Sequence, residues 1–335
     1  MSVGVRADRF KALLVEKQGE DTSVRVRLLA ENALPEGDVL IGVDYSSLNY
    51  KDGMVLAGHP KIVTHYPHVP GVDLAGRVLE SDSDDFRPGD AVLLTGWGVG
   101  ERHWGGFSQR ARVRSEWLVH IPQGLDSKRV MIIGSAGLTA MLCVMTLEDA
   151  GIRPDSGPVV VTGAAGGVGS LAVLLLSQLG YQVAAVTGRA STHAFLRELG
   201  ATLLLSREEM SRPPRPLESQ RWAGGIDVVG GVMLARLLAE TKYGGTVAAT
   251  GLAGDAMLTT SVMPFILRNV GLRGTESVTT PRLLRQTAWS RLSALLPPDS
   301  FQQISKIISL EEVAEAAGAI LAGRIRGRVL VDPNR

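Results

Sequence analysis

The stretch VVVTGAAGGVG, Val159 to Gly169, constrains the fold of this 335-residue chain more than any other. Its apolar, β-branched start reads as a buried strand. The chain then turns through Gly163, Gly166, Gly167 and Gly169 and enters a helix read over Ser170 to Leu179, which Gly180 ends. Strand, glycine turn and helix in that order form a cradle for phosphate. Glycines allow the tight turn and the close approach of backbone. The first helical turn presents N–H groups without internal partners and the positive end of the helix dipole. A second strand, QVAAVTG, follows the helix, and that is the context a dinucleotide fingerprint requires. Pyrophosphate contacts are therefore expected from Gly163, Ala165, Gly166, Gly167, Val168 and Gly169.

The end of the second strand separates the two nicotinamide cofactors. A site for NAD usually places Asp or Glu there to hold the ribose hydroxyls. Here the strand ends in Thr187, Gly188 and Arg189, and no acid occurs between Gly169 and Arg197. The planar fork of Arg189 matches a 2′-phosphate, and the Thr187 hydroxyl lies beside it. These residues predict NADPH as the cofactor.

The remainder of the chain divides by rhythm. Residues 10–125 read as short strands, among them FKALLVE, VLIGVDYSSLN, GVDLAGRVLE and DAVLLTG, with turns at PEGD and RPGD. From Pro158 strands alternate with helices, and TLLL, IDVVG and GTVAATG continue a buried parallel sheet. After Gly274 the chain turns helical, and GRVLV reads as a strand returning to the first unit. The predicted organisation is a β-rich domain over 1–128, rejoined by 275–335, and a Rossmann-type, doubly wound α/β domain over 129–274.

Composition removes several other classes. The chain holds 35 Lys and Arg against 34 Asp and Glu, a net charge of +1, so it has no broad basic field for nucleic acid or an anionic membrane. A single cysteine, Cys143, excludes internal disulfides and thiolate clusters and fits a reducing compartment, the cytoplasm. The start, MSVGVRADRF, lacks the apolar stretch of a signal peptide. Val130 to Leu147 carries no charge, but Gly134, Ser135, Gly137, Thr139 and Thr146 interrupt it, and Glu148 and Asp149 follow. It reads as a buried helix rather than a membrane span, with Cys143 as an inert core thiol.

Longer strings carry a family resemblance: SSLNYKD (Ser46–Asp52), LLTGWGVGERHWGG (Leu93–Gly106), MIIGSAGLTAMLCVMTLEDAG (Met131–Gly151), VTGRASTH and VMPFILRNV (Val262–Val270). On these the chain resembles the zinc-free acrylyl-CoA reductase branch of the medium-chain dehydrogenase/reductase superfamily, from Phe10 to Val331. The resemblance implies a GroES-like β-rich catalytic domain beside the Rossmann domain. It also implies NADPH-dependent reduction of the C=C bond of a short 2-enoyl-CoA thioester, such as acrylyl-CoA to propionyl-CoA. A quinone or enone reductase and a non-catalytic NADPH sensor are the competing functions. Zinc-holding relatives place Cys where NYKD begins and His-Glu in a PGHE turn. Here Asn49 and Pro70–Asp73, reading PGVD, stand in those places, so no metal is expected.

The same resemblance brings Tyr50 to the reacting end of the cofactor, as the donor or acid for the thioester oxygen, or as packing. Asn49 would fix the carboxamide or the substrate carbonyl, and Lys51 and Asp52 would pair locally. The segment GWGVGERHWGG is expected to line the cleft between the domains. Within it Trp97 and Trp104 read as cleft or as plugs of the loop, and His103 as a weaker candidate for proton transfer. Arg207, Tyr243 and Leu252 are carried over as further cofactor contacts, the last two at the carboxyl edge of the sheet. Two places depart from the family pattern: LAGRIRGR (Leu321–Arg328) lacks an asparagine near the nicotinamide, and Gly231 replaces an Asp. Arg282, Arg285 and Arg291 would hold CoA phosphates or form a solvated helix face. The apolar VMPFILRNVGLRGT, Val262–Thr275, suggests a homodimer formed through the edges of the nucleotide-binding sheets.

Overall fold

The computed structural model describes residues 9–19, 21–59, 61–296 and 303–335. The chain separates into two compact units. The first holds the described residues through Ser135 and again from 303 onward, and the second begins at Ala136 and holds those through 296. Residues 275–296, expected to have left the nucleotide-binding unit, stay within it, and Arg291 of their helix grips Glu148 there.

In the first unit β1 (Arg9–Gln18) and β2 (Asp21–Ala30) form an antiparallel hairpin. Then come β3 (Val39–Leu48), the short helix α1 (Tyr50–Leu56), β4 (Asp73–Ser81), β5 (Ala91–Thr95), β6 (Arg110–Val113) and β7 (Val119–His120). Along β3, Val39, Ile41 and Val43 alternate onto one face and bury themselves with Val78, Val92, Leu94 and Val113. The long helix α2 (Ser127–Asp149) starts in this unit and is broken at Gly134, whose φ is +52°. The uncharged stretch Val130–Leu147 lies inside α2, and Val130, Met131, Leu138, Met141, Val144 and Leu147 are fully buried in the protein.

The second unit is a parallel sheet of β8 (Val159–Val161), β9 (Val183–Thr187), β10 (Leu203–Ser206), β11 (Trp222–Asp227), β12 (Thr241–Ala249) and β13 (Gly271–Gly274). Their spatial order is β10-β9-β8-β11-β12-β13. This is the doubly wound order, which reverses between β8 and β11. Val159, Val160, Val161, Val183 and Ala184 are fully buried, as strands covered on both faces require. The helices are α3 (Gly167–Gln178), α4 (His193–Glu198), α5 (Arg207–Met210), α6 (Gly231–Glu240), α7 (Met263–Arg268) and α8 (Arg282–Leu295).

The chain then returns to the first unit through β14 (Ser305–Ile308), α9 (Val313–Leu321) and β15 (Arg328–Val331). β15 runs antiparallel to β3, with Val329 opposite Leu48 and Val331 opposite Ser46. GRVLV is therefore a strand of the first sheet, as the sequence suggests.

Candidate functional site

In the second unit two glycines of the cradle, Gly163 and Gly169, stand where a side chain has no room. Gly163, at the carboxyl end of β8, has φ +57°, and a Cβ on it would lie 2.5 Å from a methyl of Val228. A Cβ on Gly169 would fall 2.3 Å from the carbonyl oxygen of Gly163, so the first turn of α3 rests against the end of the strand. Gly166 is the N-cap of α3 and has no side chain to occupy the first N–H groups, those of Gly167, Val168 and Gly169. Ala165 is buried within the turn. Below it, Thr162 Oγ1 donates to Asp227 Oδ1 at 2.7 Å and accepts from the N–H of Val228 at 3.0 Å. Asp227 Oδ2 accepts from the N–H of Gly230 at 2.7 Å. This brace joins the ends of β8 and β11 where the strand order reverses, and burial raises the pKa of Asp227.

The neighbouring strands carry the cations. Thr187 opposes Ser206 across β9 and β10, so Arg189 and Arg207 both follow carboxyl strand ends. The Arg207 side chain runs along Gly188, with Nε 3.2 Å from where a Cβ would be. Thr187 does a different task from the one expected of it. Its hydroxyl is buried, accepts from the N–H of Arg189 at 3.2 Å and bonds Thr192 Oγ1 at 3.0 Å, so it shapes the loop that presents Arg189. Leu252 lies beyond the end of β12 and is 57% exposed, in a loop whose Gly254 donates to the carbonyl of Val229. Tyr243 does not join this set. It is the third residue of β12, at the amino edge of a parallel sheet and opposite the cradle, and its N–H bonds the side chain of Gln220 at 2.8 Å.

In the first unit four segments distant in sequence meet in a buried polar node. Asp73, fully buried at the start of β4, accepts from Ser47 Oγ (2.6 Å), Asn49 Nδ2 (2.9 Å) and the Ser135 N–H (2.9 Å), and from the Ser135 hydroxyl. Arg328, 2% exposed at the start of β15, donates to the Ile132 carbonyl (2.9 Å), Asn49 Oδ1 (3.1 Å) and Ser47 Oγ (2.8 Å) and lies 3.8 Å from Asp73. Burial pulls the pKa of the guanidinium down, while Asp73 and Asp52 oppose that shift. Gly134 makes the node possible. A Cβ on it would lie 2.6 Å from Asp73 Oδ2 and 2.7 Å from Arg328 Nη2, and the helix break turns the Ser135 N–H toward Asp73.

Asn49 is already engaged at both ends of its amide. Its amide donates to Asp73 and to the Ser47 carbonyl, and its oxygen is taken by Arg328. Asp52 does not pair with Lys51. Its buried carboxylate accepts from the N–H groups of Asn49 (2.8 Å), Val72 (3.0 Å) and Gly71 (3.1 Å), tying the first turn of α1 to the PGVD turn. Lys51 reaches Glu101 instead, at 3.1 Å. Tyr50, between these anchors, is the first residue of α1 and is 40% exposed. Sequence reasoning missed Ser47, Asp73, Ser135 and Arg328 as a group. The available signal was a charge opening each of two apolar strands, Asp73 before Leu74 and Arg328 before Val329.

Burial pushes Asp52 up to about 7, Asp73 adds to the shift, and the three N–H bonds oppose it. A carboxyl whose folded pKa exceeds its unfolded value of 3.8 takes up a proton on folding at intermediate pH. Its contribution to stability is then greatest at low pH and declines as pH rises from about 4 to about 7. Unfolding free energies of the wild type and Asp52→Asn, measured across that range, are expected to converge or cross as the wild type loses ground. A constant difference would exclude the shift.

The glycine-rich segment packs backbone against backbone. Gly105 and Gly106 donate to the carbonyls of Val69 and Gly71, and a Cβ on Gly106 would meet the Asp73 carbonyl at 2.2 Å. His103 Nε2 lies 2.8 Å from the Arg112 carbonyl and its ring stands edge-on to Trp117. Burial lowers its pKa. Trp104 bonds the Pro67 carbonyl. Burial pushes the Cys143 thiol up to about 12, an inert core position. Arg285 and Arg291 form neither a solvated face nor a free phosphate site: Arg285 is 1% exposed with its guanidinium on the Ser277 carbonyl, and Arg291 grips Glu148 through both terminal nitrogens. Among the described residues no three His, Cys, Asp or Glu side chains gather as metal ligands.

Comparison with known proteins follows this division. Residues 35–123 match the alcohol dehydrogenase GroES-like domain, and 167–294 match the family described as zinc-binding dehydrogenase. The acrylyl-CoA reductase AcuI of Ruegeria pomeroyi is 50% identical over 97% of this chain and 99% of its own length. The Escherichia coli K-12 protein YhdH, solved with bound NADPH, is 56% identical with a TM-score of 0.94, covering 96% of this chain and 100% of that one. The Bacillus subtilis protein yhfP, solved with NAD, is 44% identical with a TM-score of 0.93, over 97% and 99%.

Proposed function

The chain belongs to the acrylyl-CoA reductase branch of the medium-chain dehydrogenase/reductase superfamily, and from that membership we infer that it reduces the C=C bond of a short 2-enoyl-CoA with NADPH. Enoyl thioester, NADPH and one proton become saturated thioester and NADP⁺, with acrylyl-CoA and propionyl-CoA as the assigned pair. The observation that carries this reading is the glycine cradle followed by two arginines and no acid at the second strand end, in a chain that aligns along nearly its full length with an acrylyl-CoA reductase.

The cradle fits the cofactor. The first N–H groups of α3 follow a glycine N-cap with no side-chain cap, and they suit a pyrophosphate. Arg189 and Arg207 are assigned to the 2′-phosphate, and Leu252 to apolar contact at the sheet edge. Bound NADPH supplies the hydride for the β carbon. The chain's own task is to orient the thioester and meet the negative charge that develops on its oxygen. Tyr50 is assigned as the hydrogen-bond donor for that oxygen, because it carries an exposed phenol on a backbone held from both sides. Asn49 is assigned to holding that backbone through its bonds to Asp73 and Arg328.

NADPH consumption with acrylyl-CoA, crotonyl-CoA and a quinone tests the assignment. Turnover is expected to be fastest with acrylyl-CoA. Preference for the quinone would reassign the substrate, and tight NADPH binding with no turnover would leave a sensor. A homodimer is proposed from β13, the sheet's edge strand, and from Val262, Ile266 and Leu267, each more than half exposed on or beside α7. Sedimentation at twice 35.6 kDa checks it. A cytoplasmic location is proposed from the single cysteine of the sequence.

A further inference from the structure

We propose that Arg328, which does not touch substrate, is a positioning residue for the reduction, acting with Asp73 through Asn49 to fix Tyr50. The inference rests on the assignment of Tyr50 above. Its basis is the way the two buried charges hold the two ends of one amide. Asn49 Nδ2 donates to Asp73 at 2.9 Å, and Asn49 Oδ1 accepts from Arg328 at 3.1 Å. An amide clamped by an anion at its nitrogen and a cation at its oxygen has one orientation. Asn49 is the N-cap of α1, so a clamp on its side chain also holds the backbone from which the next residue, Tyr50, leaves.

The node is also better connected than a simple ion pair needs to be. Asp73 and Arg328 share Ser47, whose hydroxyl bonds both, and the helix break at Gly134 adds the Ser135 N–H and hydroxyl to Asp73. The end of β3, the start of β4, the break in α2 and the start of β15 are thereby referenced to one point. A buried pair is a weak source of stability compared with apolar groups of the same volume, whereas removing one partner leaves an uncompensated charge. That asymmetry separates positioning from stability by experiment.

The single variants Asp73→Asn and Arg328→Met are expected to lower Tm by about 10 °C. The double variant Asp73→Asn/Arg328→Met removes both charges and should recover most of that loss. Its kcat with acrylyl-CoA should nevertheless stay about 100-fold below wild type, because the Asn49 oxygen has lost Arg328 and its nitrogen no longer meets an anion. Affinity for NADPH, read by fluorescence titration, should remain within about twofold, since the cradle residues belong to the other unit. In a Tyr50→Phe background the double replacement should cost no further turnover. Recovery of kcat together with Tm would reduce the node to a structural role and overturn the proposal. An equally large loss in the Tyr50→Phe background would overturn the route through Tyr50. Wild-type turnover by Tyr50→Phe alone would instead reject the assignment on which the inference stands.

Discussion

Tyr50→Phe is expected to lower kcat for acrylyl-CoA by about 100-fold, with the dissociation constant for NADPH unchanged within about twofold. The substitution keeps the ring and deletes one O–H. The backbone beneath it is held independently of the phenol, by Asp52 on the N–H of Asn49 and by Asp73 and Arg328 on the Asn49 amide. A loss in kcat therefore reports a missing donor rather than a displaced loop. Steady-state kinetics with acrylyl-CoA and a fluorescence titration with NADPH decide it. Unchanged turnover would assign the proton and the oxygen contact to water.

Arg189→Ala is expected to weaken NADPH binding by about 2 kcal/mol, roughly 30-fold, and to leave NADH within about twofold. The extra phosphate is the sole chemical difference between the two cofactors, so a residue that meets it must discriminate between them. Arg207 lies along Gly188 beside the same loop, and the double variant Arg189→Ala/Arg207→Ala should erase the remaining preference. Parallel titrations with both cofactors check this. An equal loss with both would place Arg189 away from the 2′-phosphate.

The cradle could be read from sequence because its requirements are local. A turn with φ +57° and a 2.5 Å approach at Gly163 and a 2.3 Å approach at Gly169 strongly favour glycine, and both lie within one short string. The absence of an acid beside Arg189, on which the NADPH reading stands, was equally legible, because an absent acid at a fixed offset is a local fact. The polar node was not, because its bonds join residues up to 281 positions apart, and no window along the chain contains Ser47 and Arg328 together. Asn49 looked like a substrate ligand while its partners were unknown. With Asp73 and Arg328 in place, both ends of its amide are already occupied. Tyr243 was misplaced for a different reason. KYGGT precedes the run TVAATG, so the direction of the chain puts it at the amino edge, and the register shift between Trp222 and Gly224 separates it further from the paired part of β12. Arg285 and Arg291 show the limit of helical spacing, which gives a face but not whether that face is covered.

The position of Arg328 on β15 also bears on the order in which the protein can be completed during synthesis. A nascent chain ending at residue 296 already contains every strand of the six-stranded sheet and the whole glycine cradle. It lacks β14, β15 and the guanidinium that faces Asp73. Until those residues emerge from the ribosome, Asp73 has hydroxyl and amide partners but no countercharge, and the edge of β3 that later pairs with β15 is open. The unit translated first is thus the one finished last, and translation of the C-terminal strand both closes its sheet and neutralises its interior.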